Sequence, residues 1–227
     1  MTRTGNQTYE GSDDLPAVIP VFPLVGTLLL PRRAMPLNVF EPRYLAMVDA
    51  ALAGDRLIGM IQPEVGRVGV ERAQRPPLER VGCLGRITQF AETGDGRLII
   101  TLVGVSRFAV TEELSTTTPY RQVRYDVERF ADDFRPGLGE AEVDRARILK
   151  TLRAYLDHNA LAVEWSQFET APAEALVDGL AMMSPCGARE KQALLEAPDL
   201  AARAELLVAI TERALGLGEG GSPAPLQ

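Results

Sequence analysis

The chain has few of the residues on which catalytic and metal sites most often depend. Its 227 residues include one histidine, His158, and two cysteines, Cys83 and Cys186. A zinc site needs several such ligands close together, and a catalytic triad needs a nucleophile and an orienting acid around its histidine. No motif in the sequence supplies either arrangement. The sequence therefore predicts no catalytic residues, no metal ligands and no bound cofactor.

Lysine is almost absent, since arginine supplies nearly all of the positive charge and only Lys150 and Lys191 occur. Neither lysine follows a glycine, so the phosphate-binding loop in which a lysine reaches a nucleotide is missing. The formal net charge is −7, with 31 acidic and 24 basic residues, and aromatic residues make up 6% of the chain. Because an acidic protein repels phosphate backbones, nucleic-acid binding is disfavoured.

A long apolar run is also missing. The apolar stretch from Val18 to Pro31 is too short to span a bilayer and is interrupted by prolines. Residues 1–14 are polar and do not resemble a secretory signal. We predict that residues 1–14 and the Gly- and Pro-rich segment 218–227 are disordered tails. We expect a cytoplasmic protein without membrane contact, whose hydrophobic fraction of 46% is enough for a packed core.

Residues 15–133 are predicted to form a β-domain with one helix. The prolines of its opening segment exclude a helix there, because proline lacks a backbone donor and clashes with the preceding turn. A helix is predicted from Glu41 to Ala53, where Pro42 suits the first turn and Gly54 the end. The sequence Thr93-Gly94-Asp95-Gly96 has the composition of a hairpin turn. The later predicted strands are Leu57–Ile61, Val81–Phe90, Arg97–Val105 and Gln122–Glu128.

Residues 138–217 are predicted to form a helical subdomain. Apolar residues recur there at helical spacing, and Ser–Pro and Pro–Asp pairs mark helix starts. The predicted helices cover residues 140–159, 172–183 and 184–197, with a fourth beginning at residue 198. Strands followed by helices indicate an α+β chain, in which a β-barrel-like domain precedes a helical bundle.

Four segments carry a resemblance to a known family. They are Phe40-Glu41-Pro42-Arg43-Tyr44, the run from Pro77 to Ile87, the run from Gly104 to Phe108 and the run from Lys191 to Glu196. Together they resemble the N-terminal, substrate-binding domain of Lon proteases, and most closely the stand-alone bacterial proteins built around it. The resemblance implies a PUA-like β-barrel with one inserted helix, followed by a C-terminal α-helical bundle.

The resemblance also implies a function. It is that of a non-catalytic recognition module, which binds polypeptide segments or a protein partner and would serve as an adaptor to proteolysis. Full-length Lon proteases contain an ATPase, which needs the phosphate-binding loop that this chain lacks. Their protease uses a Ser–Lys pair whose sequence context is missing as well. We therefore expect no enzymatic activity.

Six apolar residues are candidates for contacts with a partner. They are Leu29, Leu30, Phe40, Phe90, Trp165 and Phe168. The first four are expected near an exposed sheet edge or groove, where an extended peptide would bind, although each could equally be core. Trp165 and Phe168 either anchor an interface or fill the seam between the two parts. Structural roles are expected for Glu41 as a helix cap, Arg43 as an ion-pair partner and Tyr44 as a packing residue.

Two other functions remain open. One is binding of a small molecule or a modified residue, by analogy with cereblon, a eukaryotic protein that carries a related domain. The other is RNA binding through the PUA-like fold, for which four arginines would form a local basic patch despite the overall charge. These arginines are Arg67, Arg72, Arg75 and Arg80. The oligomeric state is left open as well.

Overall fold

The structure, a computed structural model, describes residues 1–64 and 75–216. The chain divides into two compact units. The barrel unit comprises Met1–Pro136 and Gly187–Glu196, and the helical unit comprises Gly137–Cys186 and the residues from Ala197 onward. The predicted tail at 218–227 lies outside the described residues, and so do Arg67 and Arg72 of the predicted basic patch.

The strands of the barrel unit form a small hairpin and one large sheet. Their bounds are β1 (Thr2–Thr4), β2 (Gln7–Tyr9), β3 (Val18–Pro23), β4 (Ala34–Val39), β5 (Leu57–Pro63), β6 (Leu78–Glu92), β7 (Leu98–Glu113) and β8 (Arg121–Asp126). The large sheet has the order β4-β7-β6-β5-β3-β8, and a further pairing of β7 with β8 closes its last five strands into a barrel. Strand β4 lies outside the closed ring, paired with the first part of β7.

Helix α1 (Pro42–Ala53) lies between β4 and β5 in the chain, and β5 pairs in parallel with β3. Parallel strands need such a crossover, whereas the antiparallel neighbours β6 and β7 need only a tight turn. The barrel interior is filled by apolar side chains from most of its strands. A core cluster contains Tyr9, Ile19, Val21, Leu57, Ile61, Leu84, Val105, Phe108, Val123, Val127 and Phe134. With the helices described below, this architecture confirms the predicted α+β class.

The prediction that residues 1–14 are disordered is wrong. Strands β1 and β2 pair across a two-residue turn at Gly5-Asn6, in which Gly5 has a φ of +60°. Thr2 and Tyr9 are buried, and the Tyr9 hydroxyl accepts a hydrogen bond of 3.0 Å from Arg86 Nη1. Burial of the ring raises the pKa of Tyr9, although the Arg86 contact opposes the shift. These strands are only three residues long and mostly polar, so they carry no apolar alternation that would mark them in the sequence.

The helix at Ala188–Glu196, α5, belongs to the barrel unit and not to the helical unit, which departs from the predicted 138–217 subdomain. Gln62 Nε2 donates to the Ala188 carbonyl at 2.9 Å, and Gln192 Nε2 donates to the Val81 carbonyl at 3.1 Å. An amphipathic pattern shows that one helix face is buried, but it does not show which core buries it.

The helical unit contains α2 (Arg145–His158), α3 (Trp165–Thr170), α4 (Ala173–Met183) and α6 (Leu200–Ala214). Asp144 and Asp199 cap α2 and α6, each accepting a hydrogen bond from a first-turn amide. Apolar residues of α2, α4 and α6 form the core of the unit. They are Ile148, Leu176, Val177, Leu200, Ala204 and Val208. None of the helices within the described ranges has the length and hydrophobicity needed to cross a membrane.

Candidate functional site

The Phe40–Tyr44 block begins α1 and contributes mainly to structure. Arg43 forms an exposed ion pair of 2.7 Å with Glu41, while Tyr44 is buried with its ring centroid 4.1 Å from that of Phe22. Burial raises the pKa of the Tyr44 hydroxyl. Glu41 occupies the N-cap position, but it caps through its backbone carbonyl rather than its side chain. Phe40, in contrast, projects into solvent.

Phe40 belongs to a three-stranded tip, which we define as residues 37–40 of β4 and its end, 89–92 of β6 and 98–100 of β7. The register pairs Leu37 with Ile100 and Asn38 with Ile99. On the other side of β7, Phe90 pairs with Ile100 and Ala91 with Ile99. Paired residues of an antiparallel sheet project from the same face. Phe90 therefore shares a face with Leu37, and Ala91 shares the opposite face with Asn38.

Both faces of the three-stranded tip expose large apolar side chains. Phe90 is 54% exposed on one face and Ile99 is 47% exposed on the other. Phe40 is 61% exposed and follows Asn38 by two residues, so the alternation of the strand places it on the same side as Ile99. Clustered exposed apolar groups are a mark of interaction surfaces, whereas scattered ones are not.

A bulge in β6 sets the direction of Phe90. The register between β6 and β7 shifts between Ile87 and Gln89, which leaves Thr88 as the additional residue. The Thr88 hydroxyl donates to the Thr101 carbonyl at 3.2 Å across the ladder. Without the bulge Phe90 would face the same side as Ile99, because strand side chains alternate. Bulges commonly re-aim side chains at functional sites in this way.

The turn beyond the tip is held by short-range polar contacts. Gly94 and Gly96 have positive φ, as the turn composition predicts. Thr93 Oγ1 donates to Asp95 Oδ1 at 2.5 Å, and Arg97 Nε lies 3.2 Å from Asp95 Oδ2. The Thr93 hydroxyl and the charge of Arg97 hold the pKa of Asp95 below its ordinary value. These contacts fix the hairpin that carries Phe90 and Ile99.

Strand β4 gives the tip an open sheet edge. In the described part of the chain β4 pairs with β7 and with no second strand. Most of its residues are exposed or half-buried, which is typical of an edge strand. Pro36 lacks an N–H, so it fits a strand only where that group would point away from the neighbouring strand. Ala34 and Asn38 lie two residues before and two residues after Pro36. They therefore direct their backbone N–H and C=O groups outward as well.

The structure buries two of the six predicted contact residues. Leu29 and Leu30 are 1% and 0% exposed, so they belong to the core and cannot touch a partner. They lie in the segment that joins β3 to β4, which passes directly over the barrel backbone. A Cβ atom at Gly104 would lie 2.0 Å from the Leu30 carbonyl oxygen. Glycine is therefore required at residue 104 for this close approach.

Trp165 and Phe168 both lie on α3, with their ring centroids 5.9 Å apart. The Arg153 guanidinium lies 4.3 Å from the Trp165 ring centroid, and Phe168 packs against the core of the helical unit. Trp165 Nε1 is buried without a hydrogen-bond partner among the described residues. Both side chains are half-buried. Whether they contact a partner stays a prediction.

Two further predictions concern metal ligands and the basic patch. Within the residues that the structure describes, no three His, Cys, Asp or Glu side chains come together as a metal site would require. Of the two described arginines in the predicted basic patch, Arg75 forms a 2.7 Å ion pair with Glu113. What the three-stranded tip offers is apolar side chains beside an open strand edge, and this combination suits an extended peptide.

Comparison with known proteins identifies the family. Residues 18–213 match the substrate-binding domain of ATP-dependent protease La (LON). The chain belongs to this Lon substrate-binding domain family. The match extends over both units, and membership of the family supports a role in substrate recognition. The domain that it matches is distinct from the ATPase and protease parts of Lon.

Curated relatives are longer proteins. Lon protease 2 of Myxococcus xanthus is 28% identical over 88% of this chain, which covers 24% of that protein. The Lon protease of Anaeromyxobacter dehalogenans has the same identity and coverage. The Lon protease of Dictyoglomus thermophilum is 32% identical over 55% of this chain. The chain thus spans about a quarter of the length of the first two of these relatives.

Solved structures share the fold. The Lon N-terminal domain protein from Xanthomonas campestris aligns with a TM-score of 0.59 and 24% identity, covering 85% of this chain and 97% of that one. The N-terminal domain of the Mycobacterium avium complex Lon protease aligns with a TM-score of 0.61 and 20% identity, covering 86% and 98%. These structures confirm the predicted Lon N-terminal fold.

Sequence analysis missed Ile99 and the open edge of β4. The consecutive apolar residues Leu98-Ile99-Ile100 were a usable signal, because in a strand with one buried face at least one of them must project outward. Pro36 was a second signal, since proline within a strand marks an edge. Both signals concern strand placement, and no sequence motif for binding accompanies them.

Proposed function

We propose that the chain binds extended, unfolded polypeptide segments at the edge of β4 and presents them for proteolysis, without catalysis of its own. The observation that carries the proposal is the juxtaposition of an open strand edge with exposed Phe40 and Ile99 on one face of the same tip. Added to β4, a peptide would gain backbone hydrogen bonds that do not depend on its sequence. The substrate-binding family supports a polypeptide as the ligand class.

The apolar residues of the tip would supply the second part of the affinity. A peptide strand placed next to β4 has alternate side chains on the face of Phe40 and Ile99. Apolar residues at every second position would contact Phe40 directly and would extend the apolar face to which Ile99, one strand further in, belongs. Ordering an unfolded segment has an entropic cost, and we therefore expect dissociation constants of about 1 μM or weaker. Weak binding suits a module that must release its substrate.

A titration with reduced, carboxymethylated α-lactalbumin, which stays unfolded, tests the proposal. We expect backbone NMR signals of β4 and the three-stranded tip to shift together and saturably. Phe40→Ser combined with Ile99→Ser should weaken binding about tenfold, because the direct contact with Phe40 is lost and the face beside it becomes polar. Leu138→Ser is the control, since Leu138 is equally exposed but lies in the helical unit. It should bind like the unaltered chain.

A pair of short peptides separates backbone recognition from side-chain recognition. The first has valine at alternate positions, and the second is identical but N-methylated at every residue. Methylation removes the donors that an added strand needs, so only the first peptide should bind. Equal binding of both peptides, or shifts that avoid β4, would show that strand addition is wrong.

A further inference from the structure

The helical unit contains an apolar cavity that the three-stranded tip does not involve. Its volume is about 300 Å³, and its walls come from α2, α4 and α6, with α3 and the segment between α2 and α3 at one side. Wall residues include Ile148, Leu152, Leu156, Phe168, Leu180 and Val208. Sites for small ligands and side chains are typically concave and mostly apolar, so an open apolar cavity of this size points to a ligand.

The lining restricts the chemistry of what can enter. None of the described residues that line the cavity is charged, and its polar groups are the hydroxyls of Thr151, Tyr155, Ser184 and Thr211. The Thr211 hydroxyl already donates to the Leu207 carbonyl at 2.8 Å. A charged group placed in the cavity would lose its hydration without gaining an opposite charge. The entering group is therefore uncharged and mainly apolar.

The mouth of the cavity extends the apolar surface outward. Leu161, Val163 and Met183 line it, and all three are exposed, Met183 to 70%. An apolar rim outside an apolar cavity is buried only by a ligand that is larger than the cavity itself. Met183 has a flexible, polarizable side chain that can adapt to different contacts. These features fit a long molecule of which only one part enters.

We propose that this cavity binds one bulky apolar side chain of a polypeptide, while the rim contacts the residues on either side of it. A helix, which is about 10–12 Å across with its side chains, is too wide to enter. The inference rests on the proposed function for the polypeptide nature of the ligand, and the family match over residues 18–213 includes the cavity. It adds a site that selects side chains by size, whereas the β4 edge contacts backbone.

Methyl NMR with two alanine-rich peptides tests the inference. One peptide carries a central 4-fluorophenylalanine, and the other has serine at the same position. We expect the methyl signals of Ile148, Leu152 and Val208 to shift saturably with the first peptide only, together with its fluorine signal. Equal methyl shifts with both peptides, or none with either, would overturn the inference. So would saturable shifts with decanol alone, because the cavity would then take free small molecules.

Three variants locate the effect. Leu152→Trp fills the cavity, and Leu161→Ser with Val163→Ser makes the rim polar without altering a buried residue. Both changes should weaken binding of the fluorophenylalanine peptide about tenfold. Leu138→Ser, in the same unit, should leave its binding unchanged. The rim variant keeps the test valid if Leu152→Trp fails to fold. If cavity methyls never shift but β4 amides do, the inference fails and the proposed function stands; if neither responds, both fail.

Discussion

The barrel unit and the helical unit leave apolar surface uncovered in different ways. In the barrel unit the exposed groups flank the edge of β4, where backbone donors and acceptors are also available. In the helical unit they surround a cavity between helices, whose backbone groups are already paired within each helix. A sheet edge can therefore recognise any extended chain, but a cavity between helices can recognise only side chains. One chain combines both kinds of surface.

The two units are alike in one respect, because each contains a buried ion pair. In the barrel unit Arg107 Nη2 lies 2.8 Å from Asp133 Oδ1, and Arg107 Nη1 donates to the Leu195 carbonyl of α5 at 3.1 Å. In the helical unit Arg203 Nη1 lies 2.9 Å from Asp178 Oδ1. All four side chains are almost completely buried. Each unit therefore depends on a charge that would be costly to leave unpaired.

The largest expected effect is that of removing either arginine. Arg107→Met and Arg203→Met should each lower the free energy of unfolding by about 3–5 kcal/mol, because a buried carboxylate loses its partner. Hydrogen exchange should show faster opening of barrel amides in the first variant and of helical amides in the second. Denaturant titration gives the total loss. If both variants accelerate exchange equally throughout the chain, the two units unfold as one and the comparison breaks down.

A glycine in each unit gives a matched pair with opposite expected signs. Gly104→Ala in the barrel unit should destabilise the fold by about 3 kcal/mol, because the new Cβ would meet the Leu30 backbone 2.0 Å away. Gly179→Ala on α4 meets nothing within 4 Å and should stabilise by about 0.5–1 kcal/mol, through the higher helix propensity of alanine. Thermal unfolding of both variants checks this. A destabilised Gly179→Ala variant would mean that the surroundings of Gly179 on α4 have no room for a methyl group.

The smallest expected effect on stability is that of replacing Glu113, which lies on β7 where this strand pairs with β8 and closes the barrel. Burial alone would raise the pKa of Glu113, but hydrogen bonds and charge from Arg121 and Arg75 outweigh it and hold that pKa below its ordinary value. A lowered carboxyl pKa stabilises the folded state above the unfolded pKa of about 4.3, and the contribution is lost as pH falls through the folded value. For this partly exposed group we expect about 0.5 kcal/mol.

Glu113→Gln should therefore be less stable than the unaltered chain at pH 7, and the difference should shrink below about pH 4.3. Urea titrations at several pH values measure it. Glu212→Gln is the helical-unit control, because Glu212 pairs with Arg147 at 3.1 Å in a largely exposed setting, and it should change stability by no more than about 0.5 kcal/mol. A stability difference that grows as the pH falls would show that Glu113 is not stabilised in its charged form.

Local signals in the sequence predicted the elements well. Helix α1 ends before Gly54 as predicted, but Gly54 has a φ of −118° and not the left-handed conformation expected of a glycine terminator. The prolines before Pro42 and the Thr93–Gly96 turn correctly marked short strands and the β6–β7 hairpin. They worked because each constrains φ, ψ or a hydrogen bond within a few residues of itself. The helix predicted from residue 140 instead begins at Arg145, after a capping Asp144, since Glu140–Glu142 forms a separate 3-10 turn.

Burial and partnership were harder to predict, because they depend on distant residues. Leu29 and Ile99 each lie in a run of consecutive apolar residues, yet Leu29 is buried and Ile99 is exposed. The difference arises because Leu29 crosses over Gly85, whose added Cβ would meet its side chain at 2.8 Å, whereas Ile99 lies beyond the closed part of the barrel. For the same reason the sequence indicated Phe40 and Phe90 as candidate contact residues, but it could not show that they lie on opposite faces of the three-stranded tip.

The return of α5 to the barrel unit has a consequence for synthesis of the chain. Residues 137–186 leave the ribosome before Gly187–Glu196, so the barrel unit cannot be completed until most of the helical unit has been made. Until then Gln62 lacks the Ala188 carbonyl and Arg107 lacks the Leu195 carbonyl. Vectorial folding of two successive domains does not apply to this topology. A gene truncated after codon 136 would encode a barrel without its final helix, and no single cut separates the two units.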